Sequence, residues 1–467
     1  MSRPLFDLLF APRSIVVYGA SADPDKLSGR PLAYLRKFGY PGAVYAVNPH
    51  RDVVQGVRAY PGIEQVPGEI DLAVVVVPAE SVLAAIERCA RRGVGAVIVF
   101  ASGFTESLAG PGRAAQARIA ELVADTGLRV LGPNCLGSFA ERQKAFATFS
   151  TAFDTPGDRP DGPIALVSQS GAVGTFTYSA MTSCGLGLRY FANTGNQVDI
   201  TAIEVLTALA EQDDVGLLLG HLEDFTDPSG LERLAARAAA ARKPLVVLKS
   251  GRSAVGQRAI GAHTGSVGGD DQCFNEILSR HGAFRAASMQ EMADYALALS
   301  TGRGAAGRRL SIVTLSGGAG ALASDAAVDQ GLLVDPWDEA TRQAVARCLP
   351  YFASTLNPID VTGAMINDVR ILEQTLTVAC QSPQTDVVLV VLGNADSAAD
   401  DLVATVRRSH AATDKPFFVT WTGGSGRPRV ELLGHGVPTF TEPARAVRAI
   451  ARLVEFSRSA RPSVVGG

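Results

Sequence analysis

Short runs dense in Val and Ile alternate along this chain with longer Ala-, Leu- and Arg-rich segments, and few architectures accommodate that rhythm. Near-continuous apolar strands separated by helical stretches are the pattern of parallel sheets covered by helices. An α/β fold is therefore expected throughout. Strands are predicted at residues 14–18, 43–47, 72–77, 96–100 and 129–131, which makes one complete doubly wound unit. A second series is predicted at 163–168, 188–192, 215–222 and 244–249, and a third at 309–315, 387–392 and 416–420. Between the second and third lies the Gly-rich stretch 300–307, and the tail 461–467 reads as unstructured. The expected division is 1–145, 146–302 and 303–458, with a disordered tail over 459–467.

Composition narrows the function classes. A chain of 467 residues exceeds what a single core normally supports, and 47% hydrophobic residues against 19% charged supply several cores. A formal net charge of −3 gives no reason to expect nucleic acid or an anionic membrane as partner. No apolar run reaches the roughly 18 to 20 residues of a membrane helix, and no signal-peptide pattern opens the chain. The six cysteines are scattered without CxxC spacing, so neither a metal site nor a disulfide framework is expected. A cytoplasmic location fits best.

In open α/β sheets, ligands bind where a strand turns tightly into a helix whose N-terminus favours an anion. Each series opens with such a turn. The first strand leaves through Gly19, Ala20 and Ser21, with Lys26 nearby. The second strand ends in Asn48, Pro49, His50 and Arg51, with no acid to grip a ribose hydroxyl. A nucleotide carrying an extra phosphate, such as coenzyme A, suits this better than NAD, and NADP stays open. The second series opens with Ser168, Gln169, Ser170 and Gly171, and the third with Ser316, Gly317 and Gly318. Both are candidate phosphate cradles.

His263 stands in the small-residue stretch 252–269, which contains almost no large apolar side chain and is expected to be a long functional loop. A neutral imidazole is nucleophilic near physiological pH, and a neighbouring carboxylate biases its charge. The candidate carboxylate is Glu223, at the end of the apolar run 215–222. Together these parts suit a phosphoryl group carried on histidine between two sites.

Beyond these turns, the motifs Val47-Asn48-Pro49, Gly132-Pro133-Asn134-Cys135-Leu136-Gly137, Thr194-Gly195-Asn196-Gln197-Val198-Asp199, His263-Thr264-Gly265-Ser266 and Asn357-Pro358-Ile359-Asp360 occur in order over about residues 6 to 456. In this the chain resembles the nucleoside-diphosphate-forming acyl-CoA synthetases, relatives of the succinyl-CoA synthetase α subunit. The resemblance implies a Rossmann-like CoA-binding domain followed by two flavodoxin-like domains. It also implies reversible exchange of acyl-CoA, ADP and phosphate with carboxylic acid, CoA and ATP, through an acyl phosphate and phosphohistidine at His263 oriented by Glu223. CoA is expected against Gly19, Ala20, Ser21, Lys26, Asn48, Pro49 and Arg51, with its adenine near Val77, Pro78 and Ala79. Ser102, Gly103 and Asn134 are assigned to the same site. Relatives commonly carry Lys after Asn-Pro where this chain has His50 and Arg51. The family also needs an ATP-grasp module for nucleotide and Mg²⁺, expected here on a separate β subunit, so that a hetero-oligomer or a homodimer is anticipated. Two other readings are kept open: a non-catalytic CoA or acyl-CoA sensor, and an NADP-dependent oxidoreductase.

Overall fold

A computed structural model of the chain describes residues 3–107, 111–154, 160–264 and 269–459, with residues 262–264 described by their backbone alone. The described chain forms three sheets. The first comprises β1 (Ser14–Tyr18), β2 (Ala43–Val47), β3 (Val53–Val54), β4 (Val57–Tyr60), β5 (Leu72–Val75), β6 (Ala96–Val99) and β7 (Arg129–Leu131), ordered β3-β4-β2-β1-β5-β6-β7. The second comprises β8 (Gly137–Ala140), β9 (Ala145–Thr148), β10 (Ile164–Ser168), β11 (Tyr190–Asn193), β12 (Leu217–Leu222), β13 (Leu245–Lys249) and β14 (Phe284–Ala286), ordered β14-β13-β12-β10-β11-β8-β9. The third holds β15 (Leu310–Thr314), β16 (Ile359–Asp360), β17 (Val387–Gly393), β18 (Phe417–Thr422) and β19 (Thr439–Phe440), ordered β16-β15-β17-β18-β19.

Pairing is parallel except at β3–β4 in the first sheet and at β8–β9 and β8–β11 in the second. Val- and Ile-rich strands such as β5 and β6 are buried at every position, as parallel strands covered on both faces must be. The chain divides into two compact units, one of residues 1–179 and 187–289, the other of residues 180–186 and 290–467. The first unit holds the first two sheets. A single buried cluster there runs from Ile15 and Val17 through Val167 and Leu218 to Phe274, so the two sheets share a core. Strands β8 and β9 straddle the division expected near residue 145, yet they hydrogen-bond only into the second sheet. In the other unit the third sheet has its own core around Val313, Val390 and Trp421. The helix Met289–Leu299 falls almost entirely in that unit.

Asp71, just before β5, ties the foot of the first sheet. The Arg13 backbone N–H and Nε donate to its Oδ2 at 2.7 and 3.1 Å, and Arg3 pairs with the same carboxylate. Burial alone would raise this carboxyl, but the hydrogen bonds from Arg13 and Arg3 prevail and hold it at about 2. A folded value below the unfolded one means the stabilisation is fully present above about pH 4 and is lost as pH falls toward 2. Asp71→Asn is expected to lower the melting temperature at pH 7 by about 2–4 °C. Thermal melts should show that gap narrowing from pH 5 to pH 3, and a constant gap would contradict the account.

Candidate functional site

In the first sheet, β1 has β2 on one side and β5 on the other, which opens a crevice at their carboxyl ends. Gly19 leaves β1 at φ +93° and its N–H donates to Val47 O at 2.9 Å. A Cβ here would stand 2.7 Å from Val77 Cγ1, so only glycine lets the turn after β1 close onto the turn after β5. Asn48 secures this turn, donating from Nδ2 to Ala20 O at 3.0 Å while its Oδ1 accepts from the His50 N–H at 2.9 Å. Gln55, which the sequence reading passed over, donates from Nε2 to Ser21 O at 2.9 Å and Gly29 O at 3.0 Å. Asn48 is thus occupied in shaping the turn. Lys26, Pro49, His50, Arg51 and Pro78 are exposed around it, with Val77 and Ala79 half-buried.

One strand further on, Ser102 and Gly103 are exposed after β6, and Gly103 adopts φ +104°. The Glu106 carboxylate accepts from the N–H groups of Gly103 and Phe104 and from Asn196 Nδ2. Burial would raise the Glu106 carboxyl, but the hydrogen bonds from Asn196, Gly103 and Phe104 outweigh it and keep the group ionised. Asn134, at φ 57°, donates from Nδ2 to Asn196 Oδ1 at 3.2 Å. Glu106 went unnoticed in the sequence, although an acid shortly after a strand's carboxyl end is the same signal that singles out Glu223.

The loop following β11 continues this network into the second sheet. Asn193 Nδ2 donates to Ser168 O and Gln169 O, each at 2.8 Å, and the Thr194 N–H donates to Ser168 O at 3.0 Å. The turn 168–171 is therefore braced from below and opens the helix Gly171–Thr182. Ser170 Oγ accepts from the Val173 N–H at 3.4 Å and Ser170 O from the Gly174 N–H at 3.0 Å.

The expected phosphate role for Ser168 and Gln169 needs revision. Ser168 is fully buried, with its hydroxyl donating to Ser170 O at 2.6 Å. The Gln169 N–H donates to His221 O at 3.1 Å, and its Oε1 accepts from the N–H groups of Glu223 at 2.5 Å and Asp224 at 3.2 Å. Both side chains face inward because this turn has to satisfy its own polar groups. What remains at the mouth is backbone at Ser170 and Gly171, where the first turn of a helix leaves N–H groups without intrahelical partners.

Gln169 brings Glu223 beside this helix start. Glu223 itself is buried, at 8% exposure. Next to it, burial raises the Asp224 carboxyl despite opposing hydrogen bonding from Gln169 and the charge of Lys249. The Lys249 ammonium, fully covered at the end of β13, is in turn pushed down by burial, with Asp271 at 3.7 Å opposing that shift.

The expected loop at 252–269 is corrected over most of its length. Residues Ala254–Thr264 form a helix, on whose backbone His263 occupies the last turn. Ser253 starts it, its Oγ accepting from the Gly256 N–H at 3.1 Å and its O from the Gln257 N–H at 2.8 Å. Ala254, Gln257, Arg258, Ala259 and Ala262 are good helix formers. Among its described side chains only Ile260, 8% exposed, provides a large buried anchor, so no apolar stripe reveals the helix. The His263 side chain and residues 265–268 lie outside the described residues, so its pairing with Glu223 does too.

In the third sheet, Ser316 caps the helix Gly317–Asp329, its Oγ accepting from the Ala319 N–H at 3.4 Å. Gly317 and Gly318 are exposed. A Cβ on Gly317 would lie 3.2 Å from Asp360 Oδ2, so a carboxylate already faces this helix start. Among the described residues no group of three His, Cys, Asp or Glu is placed to hold a metal ion, and no helix is long and apolar enough to cross a membrane.

A crevice at the carboxyl ends of one parallel sheet is joined through Asn134, Asn196 and Asn193 to the helix start after β10 on the next. Family models match the chain: a CoA binding domain over residues 13–140, a succinyl-CoA ligase like flavodoxin domain over 161–299, and a ligase-CoA domain over 310–443. The chain is 32% identical over 462 residues to ADP-forming acetate–CoA ligase I subunit alpha of Pyrococcus furiosus, covering 97% of this chain and 98% of that one. It belongs to the ADP-forming acyl-CoA synthetase family, of the α-subunit type. It is also 32% identical to ADP-forming acetate–CoA ligase I of Archaeoglobus fulgidus, spanning 63% of that protein's length. Among solved structures it is similar to the dinucleotide forming acetyl-coenzyme A synthetase 1 of Ca. Korarchaeum cryptofilum in complex with phosphate and ADP, at 29% identity and a TM-score of 0.88, covering 98% of this chain and 97% of that one.

Proposed function

We propose that this chain interconverts acyl-CoA and phosphate with carboxylic acid and CoA, storing the phosphoryl group on His263 for transfer to ADP on a separate ATP-grasp chain. The observation that carries this reading is the Glu223 turn clamped by Gln169 beside the start of the helix Gly171–Thr182. Two relatives named as alpha subunits support the partner. In the first step a phosphate oxygen attacks the thioester carbonyl, and CoA leaves as thiolate and takes up a proton. A ring nitrogen of His263 then attacks phosphorus of the acyl phosphate, and the carboxylate departs. Backbone N–H groups at Ser170 and Gly171 hold phosphate oxygens, and Glu223 orients the imidazole. CoA lies in the crevice between β1 and β5, its pyrophosphate over Gly19–Ser21 and its extra phosphate toward Lys26 and Arg51. Mg²⁺ and ADP belong to the partner.

Relatives named for acetate, 4-hydroxybutyrate and trans-feruloyl-CoA define a panel of acyl groups to offer. Radiolabelled phosphate with acetyl-CoA, or another CoA thioester of that panel, is expected to give the purified chain an acid-labile, base-stable label. Addition of the ATP-grasp partner and ADP should discharge it as ATP. Failure of every thioester to label a chain that still binds CoA would favour a CoA-binding regulator instead.

A further inference from the structure

His221, in β12, is fully buried, and its ring lies between two serine hydroxyls. Nδ1 is 3.1 Å from Ser168 Oγ, and Nε2 is 2.9 Å from Ser250 Oγ. The Ser168 hydroxyl is 2.6 Å from Ser170 O, and a carbonyl only accepts. Its proton is spent there, so toward His221 the Ser168 oxygen must itself accept. The proton on the ring therefore sits on Nδ1, which leaves Nε2 to accept from Ser250. One directed chain of hydrogen bonds runs from Ser250 through His221 and Ser168 to Ser170 O. Burial pushes His221 down to about 4, in keeping with a neutral ring.

The carbonyls of residues 168–170 are then all engaged. Ser168 O and Gln169 O are bound by Asn193, and Ser170 O by the Ser168 hydroxyl together with the Gly174 N–H. Because a trans peptide points its N–H opposite to its C=O, the N–H groups of Ser170 and Gly171 face the other way, out of the helix start. The far end of the chain, Ser250, directly follows β13 on the segment that enters the helix carrying His263.

We propose that His221 is a positioning residue for phosphoryl transfer: as the neutral Nδ1–H tautomer it sets the Ser170 carbonyl, and so the outward N–H pair, and ties that turn to the segment entering the His263 helix. This rests on the function proposed above, and wild-type labelling tests that function separately.

Two measurements decide the role. In ¹⁵N NMR of the full chain at neutral pH, the histidine whose signals vanish in His221→Asn should show a protonated Nδ1 and a bare Nε2. The opposite tautomer, or a doubly protonated ring, overturns the proposal. In the phosphate-labelling assay, His221→Asn keeps a donor at the Nδ1 position and His221→Gln does not. The Gln variant should slow labelling about 100-fold and the Asn variant about tenfold, both with the wild-type Kd for CoA. Equal losses in the two variants, wild-type rates in both, or loss of CoA binding alongside labelling would each reduce His221 to a packing residue.

Discussion

His263→Ala is expected to take up no label when incubated with radioactive phosphate and a cognate acyl-CoA, and Glu223→Gln to label about 100-fold more slowly than the wild type. The alanine removes the only atom proposed to bond phosphorus, so its loss is complete. The glutamine acts differently. The Glu223 backbone N–H is held by Gln169 Oε1 at 2.5 Å, a bond the substitution does not touch, so the turn keeps its place and only the carboxylate charge is lost. That charge supports an imidazole that becomes cationic as it accepts the phosphoryl group. Acid- and base-treated samples counted after separation from free phosphate provide the measurement. Label persisting in His263→Ala would overthrow the phosphohistidine, and an unchanged rate in Glu223→Gln would remove Glu223 from the reaction.

Gly19→Val is expected to weaken CoA binding by at least about 100-fold. A non-glycine residue in left-handed backbone costs roughly 1–2 kcal/mol. At φ +93° the new Cβ would also meet Val77 Cγ1 at 2.7 Å, which drives apart the two turns that form the crevice. Calorimetry with CoA, dephospho-CoA and NADP reads the result. The wild type should prefer CoA to dephospho-CoA through Lys26 and Arg51, and NADP binding more tightly than CoA would contradict the placement. Unaltered CoA affinity in Gly19→Val would show that the ligand lies elsewhere.

The buried parallel strands were legible because their Val and Ile content is dense and their carboxyl ends are marked by small residues. β1, β2 and β7 were located to the residue. Strands β8 and β9, Gly-Ser-Phe-Ala and Ala-Phe-Ala-Thr, lack that density and pair antiparallel, so nothing local announced them. The helix over Ala254–Thr264 hid for the opposite reason, since its composition is helical but its single apolar anchor gives no period. The turns that follow the opening strands, and the position of Glu223 directly after β12, could be read from the sequence. The inward use of Ser168 and Gln169 could not, because it depends on which partners the fold brings within 3 Å.

The β8–β9 hairpin also constrains how this protein can be taken apart. Its strands complete the second sheet, yet Phe146 lies 4.4 Å, centroid to centroid, from Phe38 at the end of the helix Arg30–Lys37, and Tyr34 donates to Ser150 O at 3.4 Å. A cut near residue 145 separates β8 from β9, and a cut past 154 carries the whole hairpin away from β11, the strand it pairs with in the second sheet. For gene fusion or recombination within the family, the seam that keeps the hairpin and the shared core together therefore lies near residue 289, where the first compact unit ends.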